Sequence, residues 1–142
     1  MATVTSKVNL KWVDATLMLG ADSQGRPVII GSKKGDAGDW LGLKASDLLL
    51  LAAASCSTYD VVTILSKQRE SFTALEVSCS GEQNTDPPYA FVRIHLHYKI
   101  TGKVSSEKVE KAIKLSEDKY CSVIATLKPT VKITSDYEIL CE

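Results

Sequence analysis

Several things are scarce in this chain of 142 residues. Arginine occurs only at Arg26, Arg69 and Arg93, and histidine only at His95 and His97. The net charge is zero, so the basic excess that draws a protein to nucleic acid or to an anionic membrane is missing, and neither partner is expected. The apolar run Leu48 to Ala54 has seven residues, well short of the roughly 20 that cross a bilayer. The opening MATVTSKVNLKW has no basic segment followed by an apolar one, so no signal peptide is expected and a cytoplasmic location follows. No Cys-x-x-Cys occurs, and the spacings of Cys56, Cys79, Cys121 and Cys141 fit no zinc finger or ribbon. A reducing cytosol argues against a structural disulfide framework. Each thiol is therefore either packing or chemistry.

What is present reads as one α+β domain over residues 1–142. Lys7 to Val13, Ala15 to Ala21 and the Val-Ile-Ile after Pro27 read as three strands of an antiparallel meander. Asp22 to Pro27 is a turn in which Gly25 permits unusual dihedrals. Gly31 to Gly42 holds four of the eight glycines and reads as a loop. It lacks the Gly-Lys-Ser/Thr of a phosphate-binding loop. Trp40 is its one candidate pocket wall. Ser46 is a candidate N-cap for a helix that runs to about Glu70, with Asp47 well placed in the first turn. The front half of that helix is apolar all round, which requires burial on every side and implies a partner subunit. Ala74 to Glu82 and Ala90 to Gly102 alternate as strands. The second has Val92, Ile94, Leu96, Tyr98 and Ile100 inward, and Arg93, His95, His97 and Lys99 outward. Ser105 is expected to cap a helix with Val109, Ala112, Ile113 and Ser116 on its inner stripe. A short helix or turn carries Cys121, Pro129 ends it, and a last strand closes the chain.

Cys79 shares a strand face with Leu75 and Val77 and reads as core packing. Cys141 is next to last. His95 and His97 point the same way, but no carboxylate or cysteine in their strand completes a metal set, so a solvated sheet face is expected and no metal or other cofactor. Cys56 lies mid-helix on the side of Leu49, Ala52 and Ala53, with Tyr59 and Asp60 one turn on. The helix dipole fades after the first turn and cannot make a thiolate there. A cation from another segment is the expected substitute, Arg26 first, then Lys33 or Lys34. Cys121 follows Lys119 at the start of a new segment, and the two thiols could meet in the fold.

The stretches SDLLLLAAASCSTYDVVTILSKQR, FVRIHLHYKITG and SSEKVEKAIKLSEDKYCSV resemble the OsmC/Ohr family of thiol-dependent hydroperoxide reductases, in its OsmC-like branch. The resemblance covers nearly the whole chain. It implies an intertwined homodimer, Cys56 as peroxidatic cysteine, Cys121 as resolving cysteine, a small hydroperoxide as substrate and an external dithiol as reductant. Family members pair the reactive cysteine with an arginine and a glutamate. The glutamate's register falls on Ser46, so Asp47 is the nearest acid, and Arg26 is the one arginine upstream of Cys56. The alternative reading is a non-catalytic dimer that senses oxidants or binds a small ligand around Cys56.

Overall fold

The structure, a computed structural model, describes residues 1–32 and 41–141. Lys33, Lys34 and Trp40 lie outside the described residues. The fold is mixed α+β, with a strand meander, a long helix and two three-stranded sheets. It divides into two units, Met1–Leu49 and Leu50–Glu142.

In the first unit, β1 (Asn9–Asp14), β2 (Leu17–Ala21) and β3 (Pro27–Ile30) form the expected antiparallel meander in that order. The turn before β3 is an Asx turn. Asp22 Oδ1 accepts the backbone N–H groups of Gln24 and Arg26, both at 2.8 Å, and Gly25 takes φ +83°, which costs a glycine little. Register puts Leu10, Trp12, Met18, Val28 and Ile30 on one face and Leu19 and Ile29 on the other. Both faces are apolar, and Leu10, Trp12 and Ile29 remain more than half exposed.

Helix α1 (Ala45–Lys67) carries Asp47 in its first turn. It begins before Ser46, so Ser46 lies within that turn and not at the cap. Buried Ala53, Ala54, Ser57, Val61 and Leu65 mark one stripe at helical spacing. Leu51 is 53% exposed. The helix is long and apolar enough to cross a membrane by length and composition alone, a property it shares with core helices of soluble proteins. It ends before Glu70, at Lys67, because Arg69 turns left-handed at φ 57°.

In the second unit, β4 (Ser71–Gln83) pairs antiparallel with β5 (Phe91–Lys103), and β5 pairs parallel with β6 (Lys132–Leu140). A parallel pair needs a crossover. It is supplied by α2 (Ser106–Leu115), a π-helical turn (Ser116–Tyr120) and α3 (Ser122–Leu127). Leu96, Tyr98 and Ile100 of β5 pack with Val61 and Leu65 of α1 and with Val109, Ala112 and Ile113 of α2 in one core. Val92 departs from the expected inward set. The β4–β5 register shifts beside it, leaving it unpaired at a bulge and 42% exposed. Ser105 does occupy the N-cap of α2, but its side chain makes no capping bond. Glu70 holds the N-cap residue itself: its Oε2 accepts the Ser105 N–H at 2.7 Å, and its Oε1 takes the Lys108 ammonium.

Candidate thiol site

Cys56 stands half-buried on α1, packed against the core to which buried Cys121 belongs. Cys121 owes its place to the π-turn before it. Its N–H reaches back five residues to the Ser116 carbonyl at 2.8 Å, a wide loop that recurs at functional sites. The backbone then turns extended, so that Cys121 caps α3, its Sγ accepting the Ile124 N–H at 3.4 Å. This brings the start of α3 against Cys56, with Ser122 Oγ at 4.0 Å from Cys56 Sγ.

The surroundings push the two thiols apart in acidity. Burial pushes the Cys56 thiol up. Hydrogen bonds from the Cys121 thiol, the Val123 N–H and the Ser122 hydroxyl outweigh that and hold it below its ordinary value, and the Asp60 charge acts against them. Cys121 is pushed up to about 11, by burial first and then by serving as donor to Cys56. One sulfur is thus shifted toward the thiolate and its neighbour toward the thiol. Sequence reasoning looked for a cation and did not name these donors. They were missed because a backbone N–H has no residue signature, although a hydroxyl directly after Cys121 was visible.

A chain of hydroxyls lies on the same side of α1. Ser57 Oγ and Tyr98 OH share a short hydrogen bond. Ser116 Oγ lies 3.0 Å from Ser57 Oγ and 2.8 Å from Asp60 Oδ2. Tyr98, Ser57 and Ser116 are fully buried, and burial pushes the Tyr98 phenol up to about 12. Asp60, one turn after Cys56, also borders a cleft of about 370 Å³ with Lys67, Gln68 and Tyr120.

The other expected residues sit as follows. Arg26 is in the Asx turn, its guanidinium 3.5 Å from the Asp22 carboxylate. Asp47 and Cys56 are nine residues apart on one helix. Lys119 lies over the Tyr120 ring, 5.3 Å from its centroid. Cys79 packs against the core opposite Leu96, and burial raises its pKa. Cys141 is exposed.

The fold and the site define an α+β protein built around a pair of unlike thiols. Residues 35–136 match the family model for OsmC-like protein, and the chain belongs to that family. Protein YhfA of Escherichia coli K12 is 33% identical over 135 residues, covering 94% of this chain and 98% of its own. The structure of a hypothetical protein from Aquifex aeolicus VF5 superposes with a TM-score of 0.87 at 29% identity, over 99% of each chain. An organic hydroperoxide resistance protein OsmC from Legionella pneumophila shares the fold, with a TM-score of 0.72 at 14% identity over 97% of this chain and 99% of its own.

Proposed function

We propose that this protein reduces organic hydroperoxides with Cys56 and Cys121. The observation that carries the reading is a pair of neighbouring thiols shifted in opposite directions at the start of α3, where Ser122 Oγ lies 4.0 Å from Cys56 Sγ, with Cys56 held toward the thiolate and Cys121 toward the thiol. The Cys56 thiolate attacks the outer peroxide oxygen. The O–O bond breaks, an S–O bond forms, and the alkoxide leaves and takes a proton from solvent to become the alcohol. Sulfur has lost two electrons and the peroxide has gained them. The Cys121 sulfur then attacks the Cys56 sulfenic acid. Hydroxide leaves with the Cys121 proton as water, and a disulfide forms. An external dithiol returns both thiols by two exchanges and departs as its own disulfide.

The working unit in this reading is a cytoplasmic homodimer of single OsmC-like domains. It is supported by the apolar surface a lone chain leaves open, at Leu10, Trp12, Ile29 and Leu51, since each buried side chain of this kind contributes roughly 1.5–3 kcal/mol. Arg26 and Asp47 keep the roles the family resemblance implies as part of the proposal. Arg26→Ala should then raise the Cys56 pKa, and Asp47→Ala should slow peroxide consumption. The deciding experiment is peroxide turnover with a dithiol reductant, followed by peptide mapping. Cys56→Ser should abolish consumption, and Cys121→Ser should leave a sulfenic acid that dimedone traps. Full activity in Cys56→Ser would remove the assignment. Oxidation of the wild type to a Cys56–Cys121 disulfide without turnover would favour an oxidant sensor.

A further inference from the structure

A chain of polar groups ties α1 to the crossover inside the second unit. Ser116 Oγ lies 2.8 Å from Asp60 Oδ2 and 3.0 Å from Ser57 Oγ, and Ser57 Oγ meets the Tyr98 hydroxyl. Ser57, Tyr98 and Ser116 are fully buried. Each hydroxyl owns one hydrogen, and a carboxylate only accepts. The Ser116 hydrogen therefore goes to Asp60, so Ser116 Oγ accepts from Ser57, and Ser57 Oγ from Tyr98. All the hydrogens run one way, toward the carboxylate. A buried polar chain satisfied in this manner is stiff, because leaving any member unpaired away from water is costly.

Ser116 belongs to two structures at once. It ends α2 and begins the π-turn. Its carbonyl accepts the Cys121 N–H at 2.8 Å and so closes the turn that delivers Cys121. Its hydroxyl is tied to Ser57, the residue after Cys56, and to Asp60, one turn on. One residue thus grips the backbone of one thiol and the helix of the other. The apolar contacts around it hold α1 and α2 together, but hydrophobic attraction has no direction. A hydrogen bond does have one, and it fixes where along α1 the π-turn sits.

We propose that Ser116, anchored by Asp60, is a positioning residue that sets Cys121 in register with Cys56 for disulfide closure. The proposal rests on reading the two thiols as a reacting pair. A disulfide forms only where the two Cα atoms are within about 7 Å and the Cβ atoms face each other. A misplacement of about 1 Å can slow an oriented step about a hundredfold. Cutting Ser116 from Asp60 leaves both thiols in the chain and Cys56 open to reagents, and slows the step that joins them.

The test times closure apart from peroxide chemistry, with diamide on the full-length reduced protein. The Cys56 thiolate adds to the azo bond, and Cys121 then attacks the Cys56 sulfur. The disulfide forms as the S–N bond breaks, and the reagent leaves as its hydrazine with two electrons and two protons. At saturating diamide the rate is that of the joining step, read by peptide mass. Ser116→Ala and Asp60→Ala should each slow it by about tenfold or more, with the Cys56 adduct accumulating. Asp60→Asn keeps an oxygen for Ser116 and should close at nearly the wild-type rate. So should Tyr98→Phe, which cuts the far end of the chain and lowers stability in urea. Wild-type closure in Asp60→Ala would overturn the proposal, as would equal slowing in Asp60→Ala and Asp60→Asn. Slowing that follows urea stability across the variants would overturn it too, as would the lack of a Cys56–Cys121 disulfide in the wild type. Peroxide turnover is scored separately. A wild type that closes with diamide but consumes no peroxide would remove the proposed reaction and leave the positioning role in place.

Discussion

Strand β5 sends Ile94, Leu96, Tyr98 and Ile100 into a dry core, and its alternate residues Arg93, His95, His97 and Lys99 to the side that meets water. The two faces treat polar groups differently. On the inner face, Tyr98, Ser57 and Ser116 bond to one another and to Asp60 among the described residues, so each hydrogen is committed. On the outer face, histidines and carboxylates can exchange partners with water, protons or ions. The thiol pair belongs with the inner side, where a few well-aimed donors separate two chemically identical groups in acidity. That works because burial makes each donor count for more than it would in water.

The contrast should be largest in stability. Leu96→Ala, on the inner face, should cost about 2–5 kcal/mol, and His95→Ala, on the outer face, should stay within about 0.5 kcal/mol. Urea unfolding at fixed protein concentration, with EDTA present, reads both. Equal losses would mean that the outer face is covered in solution. Tyr98→Phe removes one hydroxyl from the inner chain and leaves Ser57 with Ser116, so a loss of about 1 kcal/mol is expected.

A finer test concerns charge on the inner side. The Asp60 carboxylate opposes the Cys56 thiolate, while Ser122 supports it. Asp60→Asn should therefore lower the Cys56 pKa further, and Ser122→Ala should raise it. The pH profile of iodoacetamide labelling at Cys56, resolved by peptide mass, measures both. Shifts of the same sign in the two variants would contradict the arrangement described.

These two faces also show what a sequence can carry. The alternation of β5 is written in its residues, and so are both thiols, because Cys56 sits in a recognisable helix and Cys121 in a recognisable segment. The Val123 donor was not legible, because every residue but proline has the same N–H. The π-turn that delivers Cys121 was not legible either, since Ser116 to Tyr120 differs from an ordinary last helical turn only in which carbonyl the Cys121 N–H reaches. Asp136 and Glu138 were plain in the sequence, but their place beside His97 depends on β6 running parallel to β5 in one particular register. Ser105 shows the opposite failure. The local pattern of a cap was present, yet the Ser105 side chain makes no capping bond, and its own N–H goes to a carboxylate 35 residues upstream.

That carboxylate gives the smallest effect and the most local one, at the end of the β4–β5 pair where α2 begins. Glu70 is held below its usual range by Lys108 first, then by the Ser105 N–H. A carboxylate whose pKa is lowered by folding adds stability above its unfolded pKa, near 4.5, and that stability is lost as the pH falls through the lower folded value. Glu70→Gln removes the charge at every pH, yet its amide oxygen can still accept from Ser105. The urea midpoint of the variant should therefore lie slightly below that of the wild type at pH 7, and the two should converge toward pH 3. Lys108→Met should reproduce much of this difference, because Lys108 is the largest contribution. A gap between wild type and Glu70→Gln that persists undiminished at pH 3 would show that the position acts through packing and not through its charge. The start of α2 would then resemble the inner face of the sheet more than the outer.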